Sequence, residues 1–310
     1  GPFCRCGPDP LFPPRAGTDI GINGDGYVSQ FLFGDGHVDF RHRFVRTDKF
    51  LAERKARKAL FGSYRNPFTD DPSVAGVDRT TANTGLMWYD HRLYALKEDG
   101  LPHEIDPFTL ETLGKFDFGG TMRMPMVTAH PKVDPVTGEL LFYGFECAGL
   151  ATPDTAFAIG APDGTLRHEL WFQPPYGAMI HDFAITRNYA IFPIMPTTSD
   201  IDRMRAGGDH WAWDPSLPTW LGILPRGGTA EDIRYFRGPA RWSFHTMNAF
   251  EEGSLIHLDT TAAPTNAFFA NVDGSRPDPG AGDFYLTRWT CDLASNDDSF
   301  IERRLFDRPS

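Results

Sequence analysis

The 310-residue sequence predicts an all-β fold of short antiparallel hairpins, in the manner of a β-propeller or a large barrel. Three observations carry that expectation. Apolar strand-like runs recur along the chain, each followed by a turn of Asp, Pro, Gly or Asn and then a second run. The 31 Gly and 26 Pro are spread along the whole length rather than gathered in a tail, which suits many turns. Only residues 48–62 carry a helical pattern.

The elements follow in order. Residues 3–33 hold turn-rich segments (GPDP, PPRAG, NGDG) and a short alternating strand over 27–33. Gly34, Asp35 and Gly36 form a hairpin turn, and residues 38–45 alternate polar and apolar as the next strand. In DKFLAERKARKALFG, Ala52, Ala56, Ala59 and Leu60 share one helical face. Most charges take the other side, and Gly62 is the expected stop. From Thr80 onward strands dominate. GLMWYDHRLYAL reads as two strands turning at Asp90 and His91. PHEIDPFTLETLGKFDF, AFAIGAPDGTLRHELWF and MIHDFAITRNYAIFPIMP repeat the scheme without a strict period. Residues 199–231 read as a long excursion before RWSFHTMNAFEEG, SLIHLDTT, NAFFANVDG and DFYLTRWTCDL resume the strands. The opening GPFCRCGPDP and the closing LFDRPS both read as sequence interior to a longer domain.

Composition narrows the function. Apolar residues make up 41% of the chain, enough for a substantial core, and a net charge of −11 opposes a nucleic-acid groove, which needs a basic face. Cys4, Cys6, Cys147 and Cys291 form no disulfide framework and no Cys-x-x-Cys pair, so a reducing, cytoplasmic setting is the expectation. No run is long enough to span a bilayer, and no signal peptide is present. The sequence has no Gly-x-Ser-x-Gly elbow, no phosphate-cradling loop and too few acids in NGDGYVSQFLFGDG for a calcium loop.

The stretch over residues 128–146, TAHPKVDPVTGELLFYGFE, organises the chemistry. Its Asp-Pro-x-Thr-Gly is a hairpin turn with a mechanism, because Pro presets φ and Gly accepts φ > 0. His130 is expected at the end of a strand beside this turn. His181 (MIHDF) and His245 (FHTMNAFEEG) occupy comparable apolar-to-polar boundaries, and the three imidazoles are read as pointing at one metal. Imidazole suits Fe, Zn, Cu or Ni, so spacing alone does not choose the ion. The bland reading of any one of them is a hydrogen-bonded core histidine. His37, His42, His91, His103, His168, His210 and His257 are assigned solvated roles. Lys97 and Glu98 read as a charged pair at a strand end or, for Glu98, as a carboxylate supporting a metal-bound imidazole. Tyr64 follows the expected helix stop, and Glu251 and Glu252 read as a cap for the turn at Gly253.

These motifs together make the chain resemble the carotenoid cleavage oxygenases, a family of non-haem iron dioxygenases. The resemblance runs through RCGPDP, NGDGYV, RFVRT, ANTG, LYALKEDGLPHEIDPFTLETLG, TAHPKVDP, MIHDFAIT, FHTMNAFEEG and LTRWT. It implies a seven-bladed β-propeller of which this chain is a single incomplete domain, 1–310, with one short helix and long loops capping the iron face. It implies Fe(II) held by four histidines, three matching His130, His181 and His245, with the fourth beyond the end of this sequence. Glu98 matches a carboxylate behind a metal-bound imidazole, and Thr84, in ANTG, matches a threonine beside the open iron position. Lys97 before that Glu, together with Tyr64, is the pattern of the stilbene-cleaving branch, the lignostilbene dioxygenases.

The expected activity is therefore cleavage of the central C=C of a 4-hydroxystilbene with O2, giving two aromatic aldehydes. Tyr64 and Lys97 would act as catalytic and substrate-binding groups, with Thr84 beside the substrate. A buried ammonium has nothing to bind on a carotenoid but has a partner in a phenol. The alternatives are a carotenoid or apocarotenoid oxygenase with the same iron centre, a non-catalytic propeller fragment, and a propeller hydrolase. Expected partners are a small aromatic alkene and O2, with no nucleic acid and no membrane span, and the reading admits a homodimer.

Overall fold

The computed structural model describes residues 2–17, 19–277 and 283–306. Strands β1 (Pro2–Asp9), β2 (Asp25–Gly34) and β3 (His37–Phe44) form a three-stranded antiparallel sheet. On one face Cys6 and Val28 enter a core with Val45, Ala82, Leu93, Ala95 and Ile105. The other face carries the aromatic pairs Tyr27–Phe44 and Phe31–Phe40. Gly26 permits a close approach at this sheet. Its N–H donates to the Thr81 carbonyl at 2.9 Å, and a Cβ there would stand 2.4 Å from the Ala82 oxygen.

Helix α1 (Asp48–Ala56) starts at the Thr47 cap, whose hydroxyl accepts from the Phe50 N–H at 3.2 Å. It ends at Ala56, well before the expected stop at Gly62. Arg57 enters the left-handed region at φ 58°, and the Glu53 carboxylate takes the N–H groups of Leu60 and Phe61 at 2.8 and 3.1 Å. The alanine face is not the buried one either. Lys49, Phe50 and Glu53 are buried, and the Lys49 ammonium sits 2.9 Å from both Asp25 and Glu53. Lys49→Met strands two buried carboxylates and should cost about 3 kcal/mol or more, read as a lower urea midpoint at unchanged m-value.

Four further sheets are each a four-stranded antiparallel meander or close to one. The first contains β4 (Gly85–Tyr89), β5 (Arg92–Leu96), β6 (His103–Ile105) and β7 (Thr112–Lys115). Asp90 and His91, at φ 47° and 57°, make its first two-residue turn as expected, with Tyr89 opposite Arg92. The second contains β8 (Lys132–Val133), β9 (Leu140–Gly144), β10 (Thr155–Gly160) and β11 (Leu166–Phe172). The Asp-Pro-x-Thr-Gly turn joins β8 to β9. Asp134 accepts the Val136 and Thr137 N–H groups at 2.8 and 3.2 Å, and Gly138 takes φ 72°.

The third sheet joins β12 (Ala184–Ile185) and β13 (Tyr189–Ile194) to two later strands, with an insertion between. The insertion pairs β14 (Thr197–Ser199) with β15 (Trp211–Trp213) around α2 (Ile201–Arg205). The excursion expected over 199–231 is thus shorter than its sequence suggests. Residues Thr219–Pro225 form β16, which pairs with β13 and with β17 (Arg234–Gly238). The last sheet runs β18 (Thr246–Glu252), β19 (Leu255–Ala262), β20 (Tyr285–Asp292) and β21 (Ile301–Arg304). The fold class is all-β, with helices reduced to α1, α2 and short 3-10 turns among the described residues. Asp307–Ser310, within the closing LFDRPS, lie outside the described residues.

The chain divides into two compact units. The first takes Gly1–Gly144, Phe157–Glu169 and Asp202–His210, and its core is the cluster around Val28 and Ala95. The second takes Phe145–Ala156, Leu170–Ile201 and Trp211–Ser310. Its core gathers Ile191, Leu221, Phe236, Leu258, Trp289 and Phe300.

Candidate functional site

The candidate ligands precede strands rather than ending them. The apolar run at 124–127 before His130 is irregular backbone, and His130 lies two residues before β8. His181 stands three residues before β12, and His245 one residue before β18. Each imidazole therefore projects from the segment that enters the first strand of a sheet. Irregular backbone there frees the side chain from the in–out alternation of a strand. Thr84 holds the corresponding place one residue before β4. It is exposed, its N–H donates to the Leu96 carbonyl at 2.9 Å, and its hydroxyl donates to Asn83 at 3.0 Å.

Local bonds fix these segments. The Thr128 hydroxyl accepts the His130 N–H at 3.1 Å, and the Thr128 N–H donates to the Tyr143 carbonyl at 2.7 Å. Asp182, next to His181, accepts the N–H and hydroxyl of Thr246, next to His245, at 2.9 and 3.0 Å. The His245 carbonyl accepts the Thr260 hydroxyl at 2.8 Å. The His181 and His245 rings stand 5.1 Å apart at 64°, with Phe244 edge-on to His181 at 4.9 Å.

Each of His130, His181 and His245 offers a ring nitrogen of the kind that binds a transition-metal ion. His130 and His181 are half-buried and His245 is exposed. Three of the histidines assigned to solvent behave differently. His103, His210 and His257 are buried: His210 Nδ1 pairs with the Arg65 carbonyl at 3.0 Å, and His257 Nδ1 with the Thr290 hydroxyl at 2.9 Å. The partners of His210 and His257 are distant in sequence, which is why residue context alone misplaced them.

A second cluster joins Tyr64, Lys97 and Glu98, which are 7%, 3% and 4% exposed. The Tyr64 hydroxyl donates to Glu98 Oε1 at 3.0 Å, and Lys97 Nζ lies 5.1 Å from the centre of the Tyr64 ring. Burial, and then the Glu98 charge, push the Tyr64 hydroxyl well above its ordinary range. Burial also pulls the Lys97 ammonium down, against the opposing charges of Asp99 and Glu98. Lys97 Nζ donates to the Thr81 hydroxyl at 2.9 Å and lies 3.6 Å from Asp99. Sequence reasoning gave no role in the site to Thr81, Asp99 or Asp182. Asp99 was visible as the third member of Lys-Glu-Asp, and Asp182 as the acid directly after a candidate ligand.

The chain is an all-β series of meanders with a histidine at the entry to three of them. The family model for the retinal pigment epithelial membrane protein RPE65 matches residues 1–310. The chain belongs to that family, the carotenoid cleavage oxygenases, whose members are iron-dependent oxygenases.

Its relatives are specific. It is 48% identical over 308 residues to isoeugenol monooxygenase of Pseudomonas nitroreducens, covering 99% of this chain and 64% of that protein. It is likewise 48% identical over 309 residues to lignostilbene-alpha,beta-dioxygenase isozyme III of Sphingomonas paucimobilis, covering 98% and 63%. The crystal structure of Pseudomonas brassicacearum lignostilbene dioxygenase superposes with a TM-score of 0.96 at 46% identity, covering all of this chain and 65% of that one. The chain thus spans less than two thirds of the length of these three proteins. No helix among the described residues is long and apolar enough to cross a membrane.

Proposed function

We propose that the protein is an Fe(II)-dependent dioxygenase that splits the C=C of a 4-hydroxystilbene into two aromatic aldehydes. The observation that carries this reading is the buried Lys97 ammonium over the Tyr64 ring, beside the Tyr64–Glu98 bond. His130, His181 and His245 would hold the iron, which supplies oxygen activation when bound. Glu98 would steady an imidazole from behind, Thr84 would line the approach of O2, and a fourth imidazole would come from outside this sequence. The four-stranded meanders support a reading of 1–310 as one part of a seven-bladed propeller domain. A cytoplasmic setting and a homodimer belong to the same proposal.

The cluster's hydrogen-bonding inventory selects the substrate. The Tyr64 proton is committed to Glu98, so its oxygen offers lone pairs and reads a donor. Lys97 gives one N–H bond to Thr81 and pairs its charge with Asp99 at 3.6 Å, and a further N–H reads an acceptor. A phenol satisfies both at one atom, a methyl ether satisfies only one, and a carotenoid hydrocarbon satisfies neither. Partial transfer of the phenol proton to the Tyr64 oxygen, whose own proton moves towards Glu98, is favoured by the ammonium and pushes electron density through the ring to the alkene. Anchoring the phenol also fixes which double bond faces the histidines. The balance is simple: one O2 is consumed, the C=C breaks, and each carbon gains one oxygen.

A second reading is favoured by the isoeugenol monooxygenase relative. Isoeugenol, like a 4-hydroxystilbene, carries a phenol conjugated to an alkene, and the cluster reads the part they share. The experiment offers 4-hydroxystilbene, its 4-methoxy ether, isoeugenol and an apocarotenal to the iron-loaded enzyme. Aldehydes from the stilbenol and not from the ether are expected. Equal turnover of phenol and ether, or turnover of the apocarotenal alone, would overturn the phenol-reading assignment. Faster turnover of isoeugenol would favour the second reading.

A further inference from the structure

Lys97 faces a mixed set of charges: Asp99 and Glu98 on one side of the balance, Arg65 and Arg79 on the other, with the neutral Tyr64 ring beneath. An ammonium that is 3% exposed among two guanidinium groups needs a dedicated counter-charge to stay protonated. Glu98 is engaged by the Tyr64 hydroxyl, whereas Asp99 reaches the ammonium itself at 3.6 Å. Asp99 is in turn held: its other oxygen accepts the Thr80 hydroxyl at 2.8 Å. Thr80 is fixed by the residue after Asp99, since a Cβ on Gly100 would stand 2.6 Å from the Thr80 Cβ. Thr81, which accepts a Lys97 N–H, is anchored through its carbonyl by Gly26.

We propose that Asp99, braced by Thr80, is the positioning residue that keeps the Lys97 ammonium charged and aims its remaining N–H at the substrate phenol. The proposal rests on the phenol-reading role of Lys97 and adds a specificity-determining group that touches no substrate. Removing the Asp99 charge leaves Lys97 facing Arg65 and Arg79 with less compensation, so its proton is lost at lower pH. The protonated form is the one that reads the phenol. The alkaline limb of kcat/KM should therefore move towards acid in Asp99→Asn and return in Asp99→Glu.

The test uses the iron-loaded enzyme with lysine labelled at 13Cε. The Lys97 resonance is the one absent from Lys97→Met. In Asp99→Asn its titration midpoint is expected to fall by about one pH unit or more, with the alkaline limb of 4-hydroxystilbene turnover following it. KM is expected to rise about tenfold, with kcat changed less, as befits lost substrate positioning. Asp99→Glu should restore the midpoint. An unmoved Lys97 midpoint in Asp99→Asn, or failure of Asp99→Glu to restore it, overturns the proposal. If the unaltered enzyme does not turn over the stilbenol, the functional reading falls, and the NMR titration still decides whether Asp99 governs Lys97.

Discussion

Lys97→Met abolishes cleavage of a 4-hydroxystilbene, by at least about 100- to 1000-fold in kcat/KM, with iron content unchanged; this is the expected result of the most direct test. The size follows from losing a charge-assisted hydrogen bond in a buried site, aimed at an oxygen that gains negative character as the alkene reacts. Methionine matches the stem of lysine and keeps the contact with the Tyr64 ring. Stability should fall far less than activity. Removing one partner of a buried ion pair is costly when the other charge is left stranded. Asp99 remains tied to Thr80 and is 13% exposed, so it is not left stranded in a dry core. The measurement pairs aldehyde production with a thermal midpoint and metal analysis. Full activity in the variant would falsify the substrate assignment, while loss of both activity and iron would mean that Lys97 serves the metal site instead.

The second large effect is on metal binding. His181→Ala should reduce bound iron from near stoichiometric to a small residue, and activity with it. Outer groups that merely orient a ligand already cost 10- to 100-fold in affinity, so loss of a ligand should exceed that range. The fold should survive, because His181 is half-buried and Phe244, which packs edge-on to it, also packs on Trp242 at 4.6 Å. A thermal shift of only a few degrees is expected. His257→Ala is the matched control. Its ring stacks on Phe250 at 4.7 Å and bonds Thr290, so its removal should cost stability and leave metal content intact. Metal retention in His181→Ala, or metal loss in His257→Ala, would move the site away from the strand entries.

The sequence was most legible where structure is local. The turns at Asp90–His91 and Asp134–Gly138 are fixed by residues that bond or bend their own backbone, and both form as read. It was least legible where a partner comes from far along the chain. The face of α1 looked apolar through its alanines, yet Lys49 and Glu53 turn inward because Asp25, 24 residues before Lys49, completes the ion pair. The same holds for His257, whose environment depends on Thr290 in a neighbouring strand. Lys97 and Tyr64 were joined only through the family resemblance, and the bond from Tyr64 to Glu98 was not read at all. A bond across 34 positions between Tyr64 and Glu98 cannot be inferred from either context. The histidines sat at boundaries as expected, on the entry side of each strand rather than the exit.

Lys97 and Glu98 are consecutive, yet their polar ends serve different neighbours: the ammonium meets Thr81 and Asp99, and the carboxylate meets the Tyr64 hydroxyl. In evolutionary terms, the proposed reading places part of the choice of substrate in one codon beside another that need not change. A lineage could exchange the residue at 97 and sample new alkenes while the support at 98 stays under separate selection. New specificities would then arise by short mutational steps without passing through forms that have lost their metal.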